Sequence, residues 1–382
     1  MRIDLRVPLA RARGLIALPA GAILLAFIVG AVVMLVSSPL VTGHFDPSLP
    51  LRTYAAIVEG SLLSVNALVD TVVAATPLIL VGLAVGLGFK AGLFNIGGQG
   101  QFLMGAVASA AAGAALAHES PIVAITLSVV AGVVAGAAYG FIPGLLKAYT
   151  GAHEVVTTIM LNYVGIQVIS YLITGPLRAQ GASFARSPDV QNAELPAFLN
   201  VGTGHEAHIG ILVILVVVPA ISWLLYRSTT GFEIRTVGAN PDAARYAGMQ
   251  PRRLVILSLT VGGMLAGLAG AIEILGVSGY MPAAYATNVG FDAITVALLG
   301  RATPGGIFFS GLLLGALRAG APLMQVKAGV PVQMIDLLQG IILFFLTADV
   351  IVRYVFRVKA ARAKLDELQT VTRSYGSGTG KP

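Results

Sequence analysis

The sequence predicts an all-α membrane protein, a polytopic helix bundle with about ten transmembrane helices. Of its 382 residues, 56% are hydrophobic and 11% are charged, and the mean hydropathy is +0.86. Because ordinary soluble proteins are about 25% charged, so few charges cannot cover a 39.2 kDa globule in water. The apolar content excludes disorder, and the lack of cysteine excludes a disulfide scaffold and a cysteine-based metal or nucleophile site.

Ten apolar runs account for the predicted helices, since about 20 apolar residues cross a bilayer. The first run follows four arginines and is too long for a signal peptide without a cleavage signal, which predicts an uncleaved helix. The eighth run spans only about 18 Å, so it either crosses the membrane or forms a re-entrant segment. The ten runs are 14–36, 64–89, 102–117, 122–148, 155–173, 209–226, 254–275, 289–300, 305–321 and 332–352.

The basic residues predict the orientation. With a cytoplasmic N-terminus, all but five of the 24 Lys and Arg residues lie on the cytoplasmic side, in agreement with the positive-inside rule. We therefore predict a basic cytoplasmic N-terminus at 1–13, a transmembrane domain at 14–352 with a cytoplasmic loop at 227–253, and a basic cytoplasmic tail at 353–382 that contacts anionic lipid. These charges flank apolar spans, so no nucleic-acid partner is predicted. The five exceptions are Arg52, Arg178, Arg186, Arg318 and Lys327.

Glycine recurs at every fourth position in the fifth helix. Gly132, Gly136, Gly140 and Gly144 share one face of that helix. Because a glycine face lets a second backbone approach closely, the pattern predicts tight helix packing in the membrane.

Four acidic residues fall in the outer halves of apolar runs, where charge is costly and usually has a partner or a cavity. These residues are Asp70, Glu273, Asp292 and Asp336. In one interpretation Arg318 pairs with Asp336, which lies at similar depth on the next helix. In the other, some of the acids line an outward-facing vestibule, and Glu273 and Asp292 belong to the substrate pathway.

A second polar group is predicted to line the pathway from the cytoplasmic side. The segment 94–101 contains Asn95, Gln99 and Gln101 among three glycines, and irregular backbone at membrane depth is tolerated where it lines a cavity. Thr158 and Asn162 lie four residues apart on one helix face. The alternative is a plain cytoplasmic turn. Glu154, one turn earlier, has either a helix-capping or a functional role.

The loop 227–253 predicts a short, well-capped helix. Asn240 suits the N-cap, Pro241 the first helical position, Asp242 the first turn and Gly248 the C′ position. Ala243, Ala244 and Arg245 complete about two turns. We interpret this helix as a docking element for a cytoplasmic partner. The alternative is an interfacial helix that only joins two spans.

Catalytic motifs are absent from the sequence. It contains no phosphate-binding loop of the G-x-x-x-x-G-K-[ST] type, no G-x-S-x-G and no H-E-x-x-H. We predict no catalytic residues, no cofactor and no metal site, although His205 and His208 are spaced i, i+3 in the long outer loop.

Four motifs resemble the permease subunits of bacterial ABC importers. They are GLFNIGGQGQFLMGA at 92–106, GAHEVVTTIMLNY at 151–163, GFEIRTVGANPDAARYAGM at 231–249 and FDAITVALLGRATPGG at 291–306. The resemblance is to the branched-chain amino acid and simple sugar group, and within it to the nucleoside branch. The sequence departs from many such permeases at Gln99, where they have Glu, and at His153, where they have Asn, so the preferred solute is expected to differ.

This resemblance implies a type II ABC importer fold in a bacterial inner membrane. It implies that 231–249 carries a coupling helix for a separate cytoplasmic ATP-binding subunit, that a second and usually different permease chain pairs with this one, and that a solute-binding lipoprotein docks outside. The predicted function is ATP-driven import of a small polar solute, most simply a nucleoside. The alternatives are a sugar or branched-chain amino acid permease, or a proton-coupled secondary transporter in which Asp70 or Glu273 titrates.

Overall fold

The structure is a computed structural model that describes residues 6–199, 206–283, 285 and 288–348. These residues form an all-α bundle with one short antiparallel hairpin. The α-helices are α1 Arg6–Thr42, α2 Leu49–Leu62, α3 Val65–Lys90, α4 Gly98–Ala115, α5 Pro121–Thr150, α6 Glu154–Thr174, α7 Val213–Arg227, α8 Thr229–Ala239, α9 Pro241–Tyr246, α10 Pro251–Glu273, α11 Val289–Leu299, α12 Pro304–Ala328 and α13 Gln333–Thr347. The strands are β1 Ala197–Leu199 and β2 Ala207–His208, with 3-10 turns at Gln191–Ala193 and Ile209–Leu212 and a π-helix at Ile274–Ser278.

Each of the ten predicted runs overlaps one of these helices. Within the described residues, seven helical stretches are long and apolar enough to cross a membrane. α11 and α13 are apolar but shorter. The end of the last predicted run and the basic tail 353–382 lie outside the described residues.

Two helices, α2 and α8, were not predicted. Arg52 and Glu59 interrupt the apolar pattern of α2, yet Thr53, Ala56 and Ile57 on one face are buried. α2 packs along α12, where a Cβ added at Gly60 would meet the Gly320 backbone at 3.1 Å. The packing of this face, rather than hydropathy, stabilises α2 as a helix.

α10 occupies the centre of the bundle and packs on α3, α4 and α5. The predicted glycine face is where α5 meets it. A Cβ at Gly136 would lie 2.6 Å from the Gly267 Cα, and one at Gly105 of α4 would lie 2.8 Å from the Gly267 carbonyl carbon. Real Cβ atoms do not approach so closely, so three backbones meet here because all three positions are glycine.

The long segment between α6 and α7 folds along the chain that follows α10. The Ser187 amide donates to the Met281 carbonyl at 2.8 Å, and the Leu195 amide donates to the Leu275 carbonyl at 2.7 Å. Ala197 pairs with His208 and Leu199 with Ala207 in the β1–β2 hairpin. We call this side of the bundle the long-loop end and the opposite side, which carries α9, the α9 end.

α11 is a half-length helix that begins inside the bundle. Pro282 pairs with Arg186 at the long-loop end, whereas a Cβ at Gly86, near the α9 end of α3, would lie 3.7 Å from Ala302. Between these points, Gly290 contacts Gln99 in the interior. The chain runs through the bundle in one direction from Pro282 to Ala302, which favours a discontinuous crossing over a re-entrant segment.

Candidate translocation pathway and docking helix

The amide side chains predicted for the pathway hold the irregular backbone between α3 and α4. Residues 91–97 are non-helical, and α4 begins at Gly98. Asn95 accepts from the Gly97 amide at 3.0 Å and exchanges hydrogen bonds with Gln101 at 3.3 and 3.4 Å. Both side chains are 1% exposed. The amide side chains of this break are therefore buried, although Gly92 and Phe94 beside them are exposed.

Asn162 ties this break to α6. It accepts from the Gly100 amide at 2.8 Å and donates to the Ile96 carbonyl at 2.9 Å. Thr158, one turn earlier, is fully buried and donates to the Glu154 carbonyl at 2.7 Å. Glu154 lies in the first turn of α6 and forms an ion pair with Lys147 of α5 at 2.8 Å. The shared face of Thr158 and Asn162 thus points to the α3–α4 break.

Gln99 ties the break to α11. Its Oε1 accepts from the Gly290 amide at 2.8 Å, in the first turn of α11. Gly98 lies beside Val81 in the middle of α3, because a Cβ there would approach the Val81 side chain to 2.9 Å. Four helices, α3, α4, α6 and α11, therefore meet at one buried amide cluster, formed by Asn95, Gln99, Gln101 and Asn162.

A cavity of about 1040 Å³ opens near the long-loop end, among α2, α3, α10 and α12. Its polar lining consists mainly of the charged side chains Glu59, Asp70, Glu273 and Arg318, and its walls include Val73 and Pro77. Asp70 and Glu273 both line this cavity. An outward-facing vestibule lined by some of the acidic residues was one of the two interpretations of the sequence. The amide cluster does not line it.

Two pairings fix charged groups of the cavity. Glu273 accepts from the Tyr285 hydroxyl at 2.9 Å, and Tyr285 stacks on Phe102 with ring centroids 6.4 Å apart. Lys327 of α12 forms an ion pair with Glu59 of α2 at 2.5 Å. Sequence reasoning missed both Tyr285 and Glu59, because neither lies in a long apolar run or a recognisable motif.

The predicted pairing of Arg318 with Asp336 is wrong. Arg318 instead forms an ion pair with Asp292 of α11. The Gln339 side chain of α13 also faces this carboxylate and, with its nitrogen toward it, donates to both oxygens at 3.0 and 3.1 Å. Asp336 is exposed one turn away. Because α11 starts inside the bundle, Asp292 lies deeper than a continuous crossing would place it, within reach of Arg318.

The docking helix α9 has the predicted caps. Asn240 Oδ1 accepts from the Asp242 and Ala243 amides, both at 3.0 Å. At the other end the Gly248 amide donates to the Arg245 carbonyl and the Met249 amide to the Ala244 carbonyl, with Gly248 at φ +81°. This pair of bonds is a Schellman motif, which ends the helix after two turns.

α9 projects from the bundle, and Ala244 is its one buried residue. Ala244 is fully buried, whereas Tyr246 is 95% exposed. The side chains of Asp242 and Arg245 lie 3.5 Å apart and are 81% and 63% exposed. Tyr246 was not among the predicted site residues, although an exposed aromatic is typical of a surface that a partner covers.

α8 connects α9 to the amide cluster. Gly238, two residues before the Asn240 cap, lies against the chain after α3. A Cβ at Gly238 would lie 2.8 Å from both the Ala91 carbonyl carbon and the Gly92 amide. Gly92 has φ +73° and leads directly into the non-helical residues 93–97. A backbone contact therefore joins the docking helix to the start of the buried break.

Comparison with known proteins identifies the family. The profile of the permease component of the branched-chain amino acid transport system matches residues 67–347. The chain belongs to this family. Together with the seven apolar helices, membership makes it a multi-pass membrane protein and a permease component of an ABC transport system.

Several known permeases are similar to this chain over most of its length. The guanosine ABC transporter permease protein NupP of Bacillus subtilis is 36% identical over 338 residues, which is 88% of this chain and 94% of NupP. The nucleoside ABC transporter permease protein NupB of Lactococcus lactis subsp. cremoris is 31% identical over 94% of this chain and 96% of NupB. The glucose ABC transporter permease protein TsgB13 of Haloferax volcanii is 36% identical over 80% of this chain and 82% of TsgB13.

A second guanosine permease protein of Bacillus subtilis, NupQ, is 24% identical over 64% of this chain and 78% of NupQ. None of the solved structures matches the chain.

Proposed function

We propose that the chain is the transmembrane permease of an ATP-driven importer that carries a nucleoside by alternating access. The observation that carries the proposal is α9, a capped two-turn helix that projects from the bundle with Tyr246 exposed. A helix with both caps satisfied holds its shape while it transmits force. The proposal gives Asn240, Pro241, Asp242, Ala243, Ala244, Arg245 and Gly248 the role of docking to a cytoplasmic ATP-binding subunit.

Movement of α9 reaches the solute pathway through contacts between backbones. α8 carries the movement to Gly92 through Gly238, and the non-helical residues 91–97 lead to the amide cluster. Because that cluster binds α6 through Asn162 and α11 through Gln99, a shift at Gly92 is transmitted to both helices. In this proposal Asn95, Gln99, Gln101, Thr158 and Asn162 face the solute only when the helices around the cluster separate.

The cavity at the long-loop end is where the solute enters. Glu273, Asp70 and Glu59 offer acceptors for the hydroxyl and amino groups of a neutral solute. NupP and NupB are named for guanosine and nucleosides, which supports a nucleoside. TsgB13, named for glucose, supports a sugar as the alternative solute.

The partners follow from the same assignment. A second, different permease chain is supported by the weaker similarity to NupQ, because the chain resembles NupP much more closely. A solute-binding lipoprotein docks at the long-loop end, on the outside of a bacterial inner membrane, and both termini face the cytoplasm. ATP is hydrolysed on the separate subunit, and this chain is not itself an enzyme.

The cap of α9 provides the test. Asn240→Ala removes the acceptor for the Asp242 and Ala243 amides, whereas Asn240→Asp keeps it. We expect ATP-dependent uptake of radiolabelled guanosine in vesicles containing all subunits to fall several-fold in Asn240→Ala and to persist in Asn240→Asp. Equal uptake by both variants would contradict the role of α9.

The rival class is a secondary transporter with Asp70 or Glu273 as the proton site. The isolated chain, reconstituted with a proton gradient and no ATP, distinguishes the two. Uptake under those conditions would exclude the importer. Competition by unlabelled guanosine but not by glucose would favour the nucleoside over the sugar.

A further inference from the structure

A second cavity, of about 880 Å³, lies at the α9 end between α5 and α10. Phe141 and Tyr149 of α5 and Ile256 and Leu257 of α10 line it. Phe141 is nine residues from the end of α5, so the groove extends about 13 Å along the helices at 1.5 Å per residue. Its inner part lies among apolar side chains of two helices that are long and apolar enough to span a membrane.

The mouth of this groove is basic. Arg252 and Arg253 lie in the first turn of α10, and Arg245 reaches the same cavity from α9. Among the described residues, neither Arg252 nor Arg253 forms an ion pair with a carboxylate. The Arg252 guanidinium lies 5.8 Å from the centre of the Tyr149 ring, which is 66% exposed. An aromatic ring beside arginines at the end of an apolar groove is the arrangement found at a membrane interface.

We propose that this groove binds one anionic phospholipid. Its phosphate lies between Arg252 and Arg253, and one acyl chain lies along Phe141, Ile256 and Leu257. Charge selects the headgroup, because two exposed arginines without carboxylate partners attract an anion. The apolar inner part of the groove favours a lipid over free phosphate or a protein, because an acyl chain can fill it. Because Arg245 belongs to α9, the lipid touches the docking helix.

Lipid retention by the purified full chain tests the site. The chain is reconstituted in nanodiscs with equal amounts of phosphatidylglycerol and phosphatidylcholine, released, and analysed by native mass spectrometry. We expect phosphatidylglycerol to be retained in preference, and the preference to fall about fivefold in Arg252→Gln and in Arg253→Gln. Arg253→Lys keeps the charge and should keep most of the preference.

Arg227→Gln is the matched control. Arg227 is an exposed arginine in the last turn of α7, at the same end of the bundle but outside the groove. An equal loss of the preference for phosphatidylglycerol in Arg227→Gln would contradict the proposed site, because it would show that any positive charge on this surface has the same effect. Unchanged retention in both groove variants would also overturn it.

Leu257→Trp fills the groove without changing its charge and should lower retention as well. If Leu257→Trp had no effect, or if inorganic phosphate displaced the lipid, the groove would not bind an acyl chain and the proposal would fail. These readouts require no transport, so they are independent of the proposed function.

Discussion

The ion pair between Arg318 and Asp292 brings a positive and a negative charge into the helix bundle. Their side chains are 25% and 14% exposed. Removing one partner of such a pair leaves the other charge partly buried, which costs about 3–5 kcal/mol in a fully buried pair. We place this pair at the low end of that range, because Arg318 reaches the cavity.

Arg318→Met and Asp292→Asn are therefore expected to lower the melting temperature of the detergent-solubilised chain by about 5 °C or more. Asp336→Asn is the control, since Asp336 is exposed. Thermal unfolding followed by intrinsic fluorescence provides the measurement. A larger effect of Asp336→Asn than of Asp292→Asn would restore the pairing predicted from sequence.

A substitution at Gly238 tests whether movement of α9 is transmitted through α8 to the α3–α4 break. An alanine Cβ there would lie 2.8 Å from the backbone at Ala91 and Gly92, so Gly238→Ala must push α8 away from the α3–α4 break. We expect ATP-dependent uptake to fall several-fold while the chain still inserts and assembles. Gly340→Ala is the control, because a Cβ at that helical position would meet no atom within 4 Å beyond the adjacent backbone of its own helix. Equal uptake by the two variants would show that the contact carries no force.

Among single residues, those with local partners could be predicted and those with distant partners could not. Asn240 and Gly248 cap a helix through neighbours within five residues, so spacing alone predicts their roles. Gln99 binds Gly290, which is 191 residues away, and no local pattern indicates that contact. The partner of Arg318 was predicted wrongly for the same reason. The position of Asp292 depends on where α11 begins, which no local pattern indicates.

At the scale of the element, hydropathy predicted the long apolar helices whether they are exposed or buried, and it missed α2 and α8. α1 and α3 are both recognisable as apolar runs, although 28% of the first span and 83% of the second are buried inside the bundle. α2 contains two charges and is recognised only from its contact with α12. The glycine face of α5 differs from this case, because glycine at every fourth position predicts close helix packing from the sequence alone.

We expect the hairpin β1–β2 to lose stability at low pH because of His208, which is buried in it. His208 is 2% exposed, and neither ring nitrogen has a hydrogen-bond partner in the described residues. Burial lowers the pKa of His208 from 6.5 to about 4. Because the folded pKa lies below the unfolded one, stability is full above pH 6.5 and is lost as the pH falls toward 4. The loss at pH 5 is roughly 2 kcal/mol.

Hydrogen exchange of residues 207–212 should therefore increase from pH 7.5 to pH 5, after correction for the intrinsic rate. His208→Leu should abolish that increase, since an apolar side chain has no proton to gain. His118→Leu, at an exposed histidine of the same end, should leave it unchanged. An increase that persists in His208→Leu would assign the response to another group.

At the scale of the whole molecule, the cavity and the amide cluster suggest that one end of the pathway is open and the middle is closed. The cavity of about 1040 Å³ opens near the long-loop end, whereas Asn95, Gln99 and Asn162 are at most 3% exposed. Alternating access requires such a closed layer between the two ends. The sequence predicts both the acidic residues of the cavity and the amides of the cluster. It does not indicate which of the two regions is open, because that depends on how the helices tilt.

The lack of cysteine makes this arrangement directly measurable. Ala319→Cys lies in the cavity lining, and Ala297→Cys lies on α11 at a fully buried position. A membrane-impermeant thiol reagent added outside intact cells should label Ala319→Cys and spare Ala297→Cys, if the long-loop end faces outward. Labelling of Ala319→Cys only in inverted vesicles would reverse the predicted orientation. Rapid labelling of Ala297→Cys from outside would mean that the amide cluster does not close the pathway, and the transmission from α9 would then have no gate to open.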